Sequence, residues 1–578
     1  MKPPALPPAR SRLALALVLA PLGLQALAVR LFGVNTLVWD EFYYVDFIRQ
    51  VRAGEDWLPW LWRQHNEHRV IPMKLAMAPL ALLTRWDTRA EMYLSVVLAG
   101  LVVLGLWRLY RRAGGESLLL FAPAAWLVCS LSQFQNMLYG MMMCHYFTLL
   151  GVVWALVFLA RGSAGGLAAA VLGGATASYS IANGLLVWPV GLLLLLVQGA
   201  RRSLVAAWTV ASVVMTSLYF YHFQKPGGMP PPAHDLAGLY RLASFAVATL
   251  GAPLGAGSMD WSRAAGLAVI VAVVAVAWRW RRQGRPAMRE EALPGALILF
   301  SLLSCAMIAY GRASSGVPPL ESRYIAYSSL ALIGVYLILG LWSRRGAPAG
   351  RLWLAGATAL LVPGLLAADL FGLREAKGWR ALRLREQFLL QTSELQPDEA
   401  LTGLYFVPEL RRMVPYLQAE RLGPFDEPPS LLLLVRWREG QVAGEILPGR
   451  PIEQTFVCDV DTLWDVDGVL STYGRQNRST VGVSLWEDGR RLGGRTVPLA
   501  GLADSSWIEV PLAGPLHGCR GRRLTMRFES ADATPGNAAS VWTYPRYYDG
   551  ELRQAGAPVL PGRAVGLEIN ARHAGLRN

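Results

Sequence analysis

An aspartate and a glutamate stand side by side in the stretch Trp39-Asp40-Glu41-Phe42-Tyr43-Tyr44, directly after a long apolar run. Adjacent carboxylates beside a membrane are costly unless water solvates them or chemistry uses them. One carboxylate can act as a general base toward an acceptor hydroxyl or amine. Either can also hold a divalent cation, Mg or Mn, that neutralises a phosphate leaving group, so Asp40 and Glu41 are candidate metal ligands as well. The plain alternative is a solvated loop in which Trp39 and Tyr43 anchor the membrane interface.

A second polar cluster follows at Gln64-His65-Asn66-Glu67-His68-Arg69. His65 and His68, three residues apart, can share a helical face and with Glu67 form a candidate substrate or metal surface. Arg69 and Lys74 carry the charge to meet a phosphate; a lipid headgroup would serve them equally. Gln135 and Asn136 head an apolar block. They can hydrogen-bond sugar hydroxyls or simply cap their helix.

The elements that must position these residues are membrane helices. Of 578 residues, 53% are hydrophobic and only 16% charged, against roughly a quarter charged in soluble domains. The apolar residues gather in blocks long enough to cross a hydrocarbon core about 30 Å thick. The net charge of +15 does not imply nucleic acid. Its arginines cluster at block ends, at 111–112, 201–202, 279–285 and 344–345, as the positive-inside rule places cytoplasmic loops. Lys2, Arg10 and Arg12 put the N-terminus inside; Ala26-Leu27-Ala28 has the look of a signal-peptide cleavage site, but the apolar run continues past it to about Phe32, which favours an uncleaved helix. About eleven spans result, near 13–33, 91–109, 117–132, 138–160, 164–182, 184–199, 203–221, 264–281, 293–310, 323–342 and 351–371, with the C-terminus outside. The stretches 70–84 and 240–256 are left as re-entrant or interfacial helices on the outer face.

The transmembrane domain thus covers 1–371, and a charged amphipathic helix and linker cover 372–440. From 441 to 570 the pattern changes to short runs bounded by turns, at 453–457, 481–486, 507–510, 523–529 and 539–543, which predicts an antiparallel β-sandwich. Cys129, Cys144 and Cys305 lie in apolar blocks and read as packing residues. Cys458 and Cys519 lie in the tail, where an oxidising compartment would join them as a disulfide and a reducing one would leave two thiols.

The acidic pair after the first helix, the polar loop, the short helix containing Pro72 and Pro79, and then the second span resemble the C-type multi-spanning membrane glycosyltransferases. That superfamily includes the protein mannosyltransferases and the lipid A aminoarabinose transferases. Further segments, Asn66-Glu67-His68-Arg69, 135–140, 180–184, Gly311-Arg312 and Ser322-Arg323-Tyr324, resemble bacterial envelope proteins assigned to the same superfamily. The resemblance covers about 10–345 and is one of pattern. It implies transfer of a sugar from a polyprenyl-phosphate carrier to a glycan or protein acceptor at the periplasmic face of the bacterial inner membrane. It places the catalytic or metal-binding acid at Asp40, with Glu41 as helper, and membrane lipid is the surrounding partner. An anionic carrier needs fixed positive charge, and Arg312 and Arg323 lie on the same side as Asp40; snorkelling to headgroups, with Glu321 beside Arg323, is the other reading. The tail resembles jelly-roll domains of surface-polysaccharide enzymes, which implies sugar stacking on Trp542, Tyr544, Tyr547 or Tyr548, unless these aromatics fill the core. Three rivals stand: a transporter of lipid-linked sugar, which would need ionisable residues deep within spans; a non-catalytic glycan-binding scaffold; and an O-antigen polymerase or ligase acting on a diphosphate-linked glycan, whose large outer loop would lie late in the membrane domain, whereas the acidic loop here comes first.

Overall fold

A computed structural model describes residues 8–227, 235–344, 348–396, 398–427, 440–458, 461–545 and 550–570. The chain divides into two compact units, residues 1–382 and 383–578, the division falling inside the 44-residue helix Pro348–Gln391.

The first unit is all helical. Among the described residues nine helices are long and apolar enough to cross a membrane: Ser11–Phe32, Thr88–Arg112, Leu118–Leu138, Gly140–Leu159, Arg202–Phe220, Met259–Glu290, Ala292–Arg312, Ser322–Arg344 and Pro348–Gln391. Polar caps start several of them. The Asp87 carboxylate accepts from the Arg89 amide at 2.9 Å, and the Ser117 hydroxyl from that of Leu120 at 3.2 Å, satisfying amides that a helix start leaves open.

Two of the eleven expected spans are not full-length. The stretches near 164–182 and 184–199 form Ala164–Ser178 and Ala182–Gln198. A 15-residue helix rises only about 22 Å, short of the hydrocarbon thickness. The helix stops because the turn after Ser178 has other partners. The Tyr179 carbonyl accepts from the Ile71 amide at 2.8 Å, and the Ala182 amide donates to His68 Nδ1 at 3.1 Å. Gly184 permits the fold-back, since a Cβ there would lie 1.9 Å from the Ala177 carbonyl oxygen. Among the described residues, nine helices rather than eleven are therefore long and apolar enough to cross a membrane. The stretch left as a short helix at 70–84 is Ile71–Thr84, and that at 240–256 is Leu236–Gly251 with a turn after it.

The second unit opens with short helices, Asp398–Leu401 and Val407–Ala419, and continues as an antiparallel β domain. Its strands are β1 Gln441–Val442, β2 Ile452–Val457, β3 Thr462–Ser471, β4 Thr480–Glu487, β5 Arg490–Pro498, β6 Ser506–His517, β7 Arg523–Glu529, β8 Ser540–Pro545, β9 Leu552–Gln554, β10 Ala557–Pro558, β11 Arg563–Val565 and β12 Leu567–Asn570. They run β1-β8-β3-β6-β5-β4-β7-β2-β9-β10, with β11 beside β8 and β12 beside β3. Strands β5 and β6 meet at a single residue pair, Gly493 with Leu512. The sheet can therefore fold over at that point into two layers around one core of Phe456, Leu463, Val466, Val483, Val510, Met526 and Phe528. Alternate burial along β2 and β7 follows from the two-residue period of a half-buried strand. A disulfide joins Cys458, just after β2, to Cys519, between β6 and β7. Cys129, Cys144 and Cys305 are free and buried.

Candidate active site

The sequence Trp39–Tyr44 forms a 3-10 turn after the first helix. Trp39 opens it in the left-handed region, φ 39°, a conformation that non-glycine residues hold only when their surroundings enforce it. The indole is fixed edge-on against Tyr139, 6.2 Å away, and Trp379, 5.8 Å away. The next two residues then face opposite ways. Asp40 points outward, its side chain 46% exposed, with Oδ2 3.4 Å from His65 Nε2. Glu41 points inward and is fully buried. Its two oxygens accept from the backbone amides of Val38, at 2.9 Å, and Met141, at 3.0 Å. Glu41 thus ties the turn to the start of the helix beyond Gly140. Gly140 is needed there: a Cβ would lie 2.4 Å from Glu91 Oε2 and 3.0 Å from Glu41 Oε1.

The two histidines meet, but not on a helix. His65 and His68 exchange both backbone hydrogen bonds, at 2.7 and 2.8 Å, closing a tight turn with Asn66 at φ 48°. Val70 follows at φ 46°, and a β-branched residue in that region is strained. His65 packs against Tyr43 and Tyr44, with ring centroids 5.2 and 5.6 Å apart. His68 Nδ1 accepts from the Ala182 amide, so its Nε2 carries the proton and points to Glu67 Oε1 at 3.7 Å. That same Glu67 oxygen is ion-paired with Arg312.

Charge around Asp40 is arranged to keep it ionised. Burial works to raise its pKa, but its interaction with His65, together with the charge of Arg323, outweighs that and leaves it below the ordinary carboxylate value. Burial is the main reason that His68 is pushed down to about 4, so its imidazole is neutral at physiological pH.

Of the four cations expected to meet phosphate, Arg323 is the best placed. Its nearest carboxylate, Glu321, stands 3.9 Å off, its Nε has no hydrogen-bond partner, and its charge acts on Asp40. Arg312 is engaged by Glu67. The loop cations are committed elsewhere. Arg69 donates to the carbonyls of Trp62 at 2.8 Å and Tyr219 at 2.9 Å. Lys74 is fully buried and donates to the carbonyls of Trp60 at 2.9 Å, Arg63 at 2.6 Å and Arg69 at 3.0 Å. Both hold the loop together instead of facing a ligand. Gln135 and Asn136 sit beside Arg323: the Gln135 amide donates to Ser322 Oγ at 3.0 Å, and Asn136 Nδ2 to the Arg323 carbonyl at 3.3 Å. Gln135 Oε1 and Asn136 Oδ1 lack hydrogen-bond partners.

Sequence reasoning missed His145, whose Nδ1 lies 2.8 Å from the Tyr327 hydroxyl, both side chains buried. It also missed Glu91, which accepts from Trp86 Nε1 at 3.1 Å. Each lies inside an apolar block, where one polar letter gives no periodic signal.

Glu41 faces inward onto the amides of Val38 and Met141 while Asp40 faces outward, so the two carboxylates are not turned toward one common site. Among the described residues no group of three or more His, Cys, Asp or Glu side chains is arranged to hold a metal. In the β domain Tyr544 is 3% exposed and offers no face to a sugar. Trp542 is half-buried beneath Gly440, where a Cβ would sit 2.8 Å from the indole. Tyr547 and Tyr548 lie outside the described residues.

No family model matches this sequence, and no curated protein does. Among solved structures, the crystal structure of the Archaeoglobus fulgidus oligosaccharyltransferase in its apo form matches with a TM-score of 0.39 at 13% identity over 68% of this chain. The archaeal oligosaccharyltransferase AglB from Archaeoglobus fulgidus, in complex with an inhibitory peptide and a dolichol-phosphate, gives a TM-score of 0.38 at 12% identity over the same share. This chain spans 60% of the length of each. At those scores the likeness bears no weight on the site, whose reading rests on its own geometry.

Proposed function

We propose that the chain is an envelope glycosyltransferase that moves a sugar from a polyprenyl-phosphate carrier to an acceptor hydroxyl or amine on a lipid-linked glycan, lipopolysaccharide or protein. One observation carries the reading: an exposed, ionised Asp40 is held against His65 at 3.4 Å and lies in the field of Arg323, in a loop directly after the first membrane helix. That combination pairs a proton acceptor with a cation for an anionic leaving group.

The acceptor oxygen or nitrogen attacks the anomeric carbon from the face opposite the phosphate. The new bond to the sugar forms as the carbon–oxygen bond to the phosphate breaks, and the electron pair leaves on the lipid phosphate. Asp40 takes the acceptor's proton. Arg323 stabilises the departing phosphate with a fixed guanidinium, which needs no reorganisation as charge develops. His65 orients Asp40. Displacement of this kind inverts the anomeric centre. The contacts of the buried Glu41 carboxylate with the Val38 and Met141 amides are positional. The disulfide Cys458–Cys519 supports an oxidising location for the β domain, the bacterial periplasm.

The test is glycan mass spectrometry of the native envelope in a deletion strain carrying wild type or Asp40→Asn at equal protein level. One sugar is expected to disappear on deletion and to return with wild type alone. Full restoration by Asp40→Asn would show that Asp40 is not the base.

A further inference from the structure

On the membrane face opposite the Asp40 turn, the helical unit holds a basic cavity that the transfer reaction does not use. The helix Thr88–Arg112 fixes the side. Its Thr88 amide donates to Asn35 Oδ1 at 3.1 Å, just before the acidic turn, and its 25 residues rise about 37 Å, carrying Arg112 to the far end. There the ends of helices 88–112, 182–198, 259–290 and 322–344 enclose about 530 Å³, within the roughly 300–1,000 Å³ typical of small-ligand sites. Arg112, Arg289 and Arg344 line the cavity together with Glu290, and Leu293 and Leu341 add apolar surface.

The three arginines differ in what already holds them. Arg344 is engaged: its guanidinium donates to Glu116 at 2.5 Å and to the Gly114 carbonyl at 2.8 Å. Arg289 donates from Nε to the Val197 carbonyl at 3.1 Å, which leaves its terminal amino groups for a ligand. Among the described residues neither Arg112 nor Arg289 has an ion pair. The charges of Arg161 and Arg108 also act on Arg112, and like charges gathered in this way are unfavourable unless an anion answers them. Setting Glu116 and Glu290 against the three arginines still leaves the cavity net positive.

A neighbouring groove narrows the occupant. An apolar groove of about 280 Å³, with no charged side chain in its lining, begins where the basic cavity ends. Val197, Met288 and Ala292 line the groove, and the residue after each, Gln198, Arg289 and Leu293, lines the cavity. The chain breaks at Gly284, φ 74°, and the turn that follows lays Met288 and Arg289 against the end of helix 182–198. From Ala292 to Leu302 the groove runs about 15 Å along its helix, half of a hydrocarbon core about 30 Å thick. A guanidinium seat that continues into an apolar seat one leaflet deep has the outline of a phospholipid, and basic pockets between membrane helices take anionic headgroups. A soluble phosphate compound would leave the groove unfilled.

We propose that the cavity and the groove form one site for an anionic phospholipid, its phosphate held by Arg112 and Arg289 and one acyl chain laid along the groove. The site is independent of the transfer reaction proposed above. Its test is native mass spectrometry of the full-length chain released from detergent micelles that carry equal amounts of dioleoyl phosphatidylglycerol and dioleoyl phosphatidylcholine. Phosphatidylglycerol is expected to bind about twentyfold more tightly, roughly fivefold for each arginine without an ion pair. Arg112→Gln with Arg289→Gln should bring the two lipids level, whereas Arg112→Lys with Arg289→Lys should keep most of the preference, which guards against a folding artefact. Arg282→Gln with Arg285→Gln, outside the cavity, should leave the preference unchanged, and excess inorganic phosphate should not displace the lipid. Equal binding of the two lipids to wild type, a preference that survives the glutamine pair at 112 and 289, an equal loss from the pair at 282 and 285, or displacement by inorganic phosphate would each overturn the proposal.

Discussion

The contrast between Asp40 and Glu41 gives the sharpest prediction, because adjacent acids of similar chemistry are assigned opposite work. The perturbation is Glu41→Gln. In the native chain a fully buried carboxylate accepts from the amides of Val38 and Met141. Hydrogen bonds to a charged group contribute about 1.5–3 kcal/mol each. Glutamine keeps one accepting oxygen but turns an NH₂ group toward the other amide, leaving a buried donor unsatisfied, at about 1–3 kcal/mol. The net expectation is a loss of about 2–3 kcal/mol. Asp40→Asn, at an exposed side chain, should leave stability within about 0.5 kcal/mol while lowering the transfer rate by about 10²–10⁴. The assay is a thermal melt of each purified variant in detergent, run beside single-turnover sugar transfer. A Glu41→Gln protein that melts like wild type yet transfers no sugar would refute the assignment and move the base to Glu41.

Three further outcomes follow from other contacts. Arg323→Ala should raise the donor KM at least about tenfold, whereas Arg312→Ala should act through Glu67 and His68, lowering kcat with donor KM within about threefold; steady-state kinetics against the lipid donor separates them. Cys458→Ser opens a loop whose ends are 61 residues apart in sequence, which chain entropy values at about 4 kcal/mol. Denaturant titration should show that loss in the β domain, and non-reducing electrophoresis should show slower migration. His68 gives a pH signature. Its folded pKa is depressed to about 4 from 6.5, so between those values the unfolded chain binds a proton that the folded chain refuses. Stability present above pH 6.5 is therefore lost as pH falls toward 4, by about 3 kcal/mol; melts at pH 7.5 and 4.5 should differ, and His68→Gln should remove most of the difference.

Residues whose neighbours lie close in sequence were the legible ones. The apolar blocks marked nine full-length helices, since hydropathy reports the solvent around a helix directly. Strands 453–457, 481–486 and 523–529 were legible because alternation and a following turn leave a local mark. The sequence also brought Asp40, His65, His68 and Arg323 onto one face. What it did not carry was direction. Nothing in Trp-Asp-Glu says that Asp40 turns out and Glu41 in; that depends on Trp39 at φ 39° and on the Met141 amide a hundred residues away. Arg69 and Lys74 looked like phosphate ligands because charge is visible in a sequence and carbonyl acceptors are not. The break at Ser178 was hidden for a related reason, its partners being His68 and Ile71.

The stapling of the loop by distant carbonyls also sets an order in time. Arg69 depends on the Tyr219 carbonyl, 150 residues later, and Glu67 on Arg312, 245 residues later. At a synthesis rate of about 5–20 residues per second, the loop emerges roughly 5–20 s before the Tyr179 carbonyl that Ile71 uses, roughly 8–30 s before the Tyr219 carbonyl and roughly 10–50 s before its ion-pair partner. Throughout that interval Arg69, Glu67 and His68 stand in water or on the membrane surface without their distant partners. The loop consequently cannot complete these contacts until residue 312 has been made, and a chain truncated before it carries every residue of the acidic loop without the Glu67–Arg312 pair.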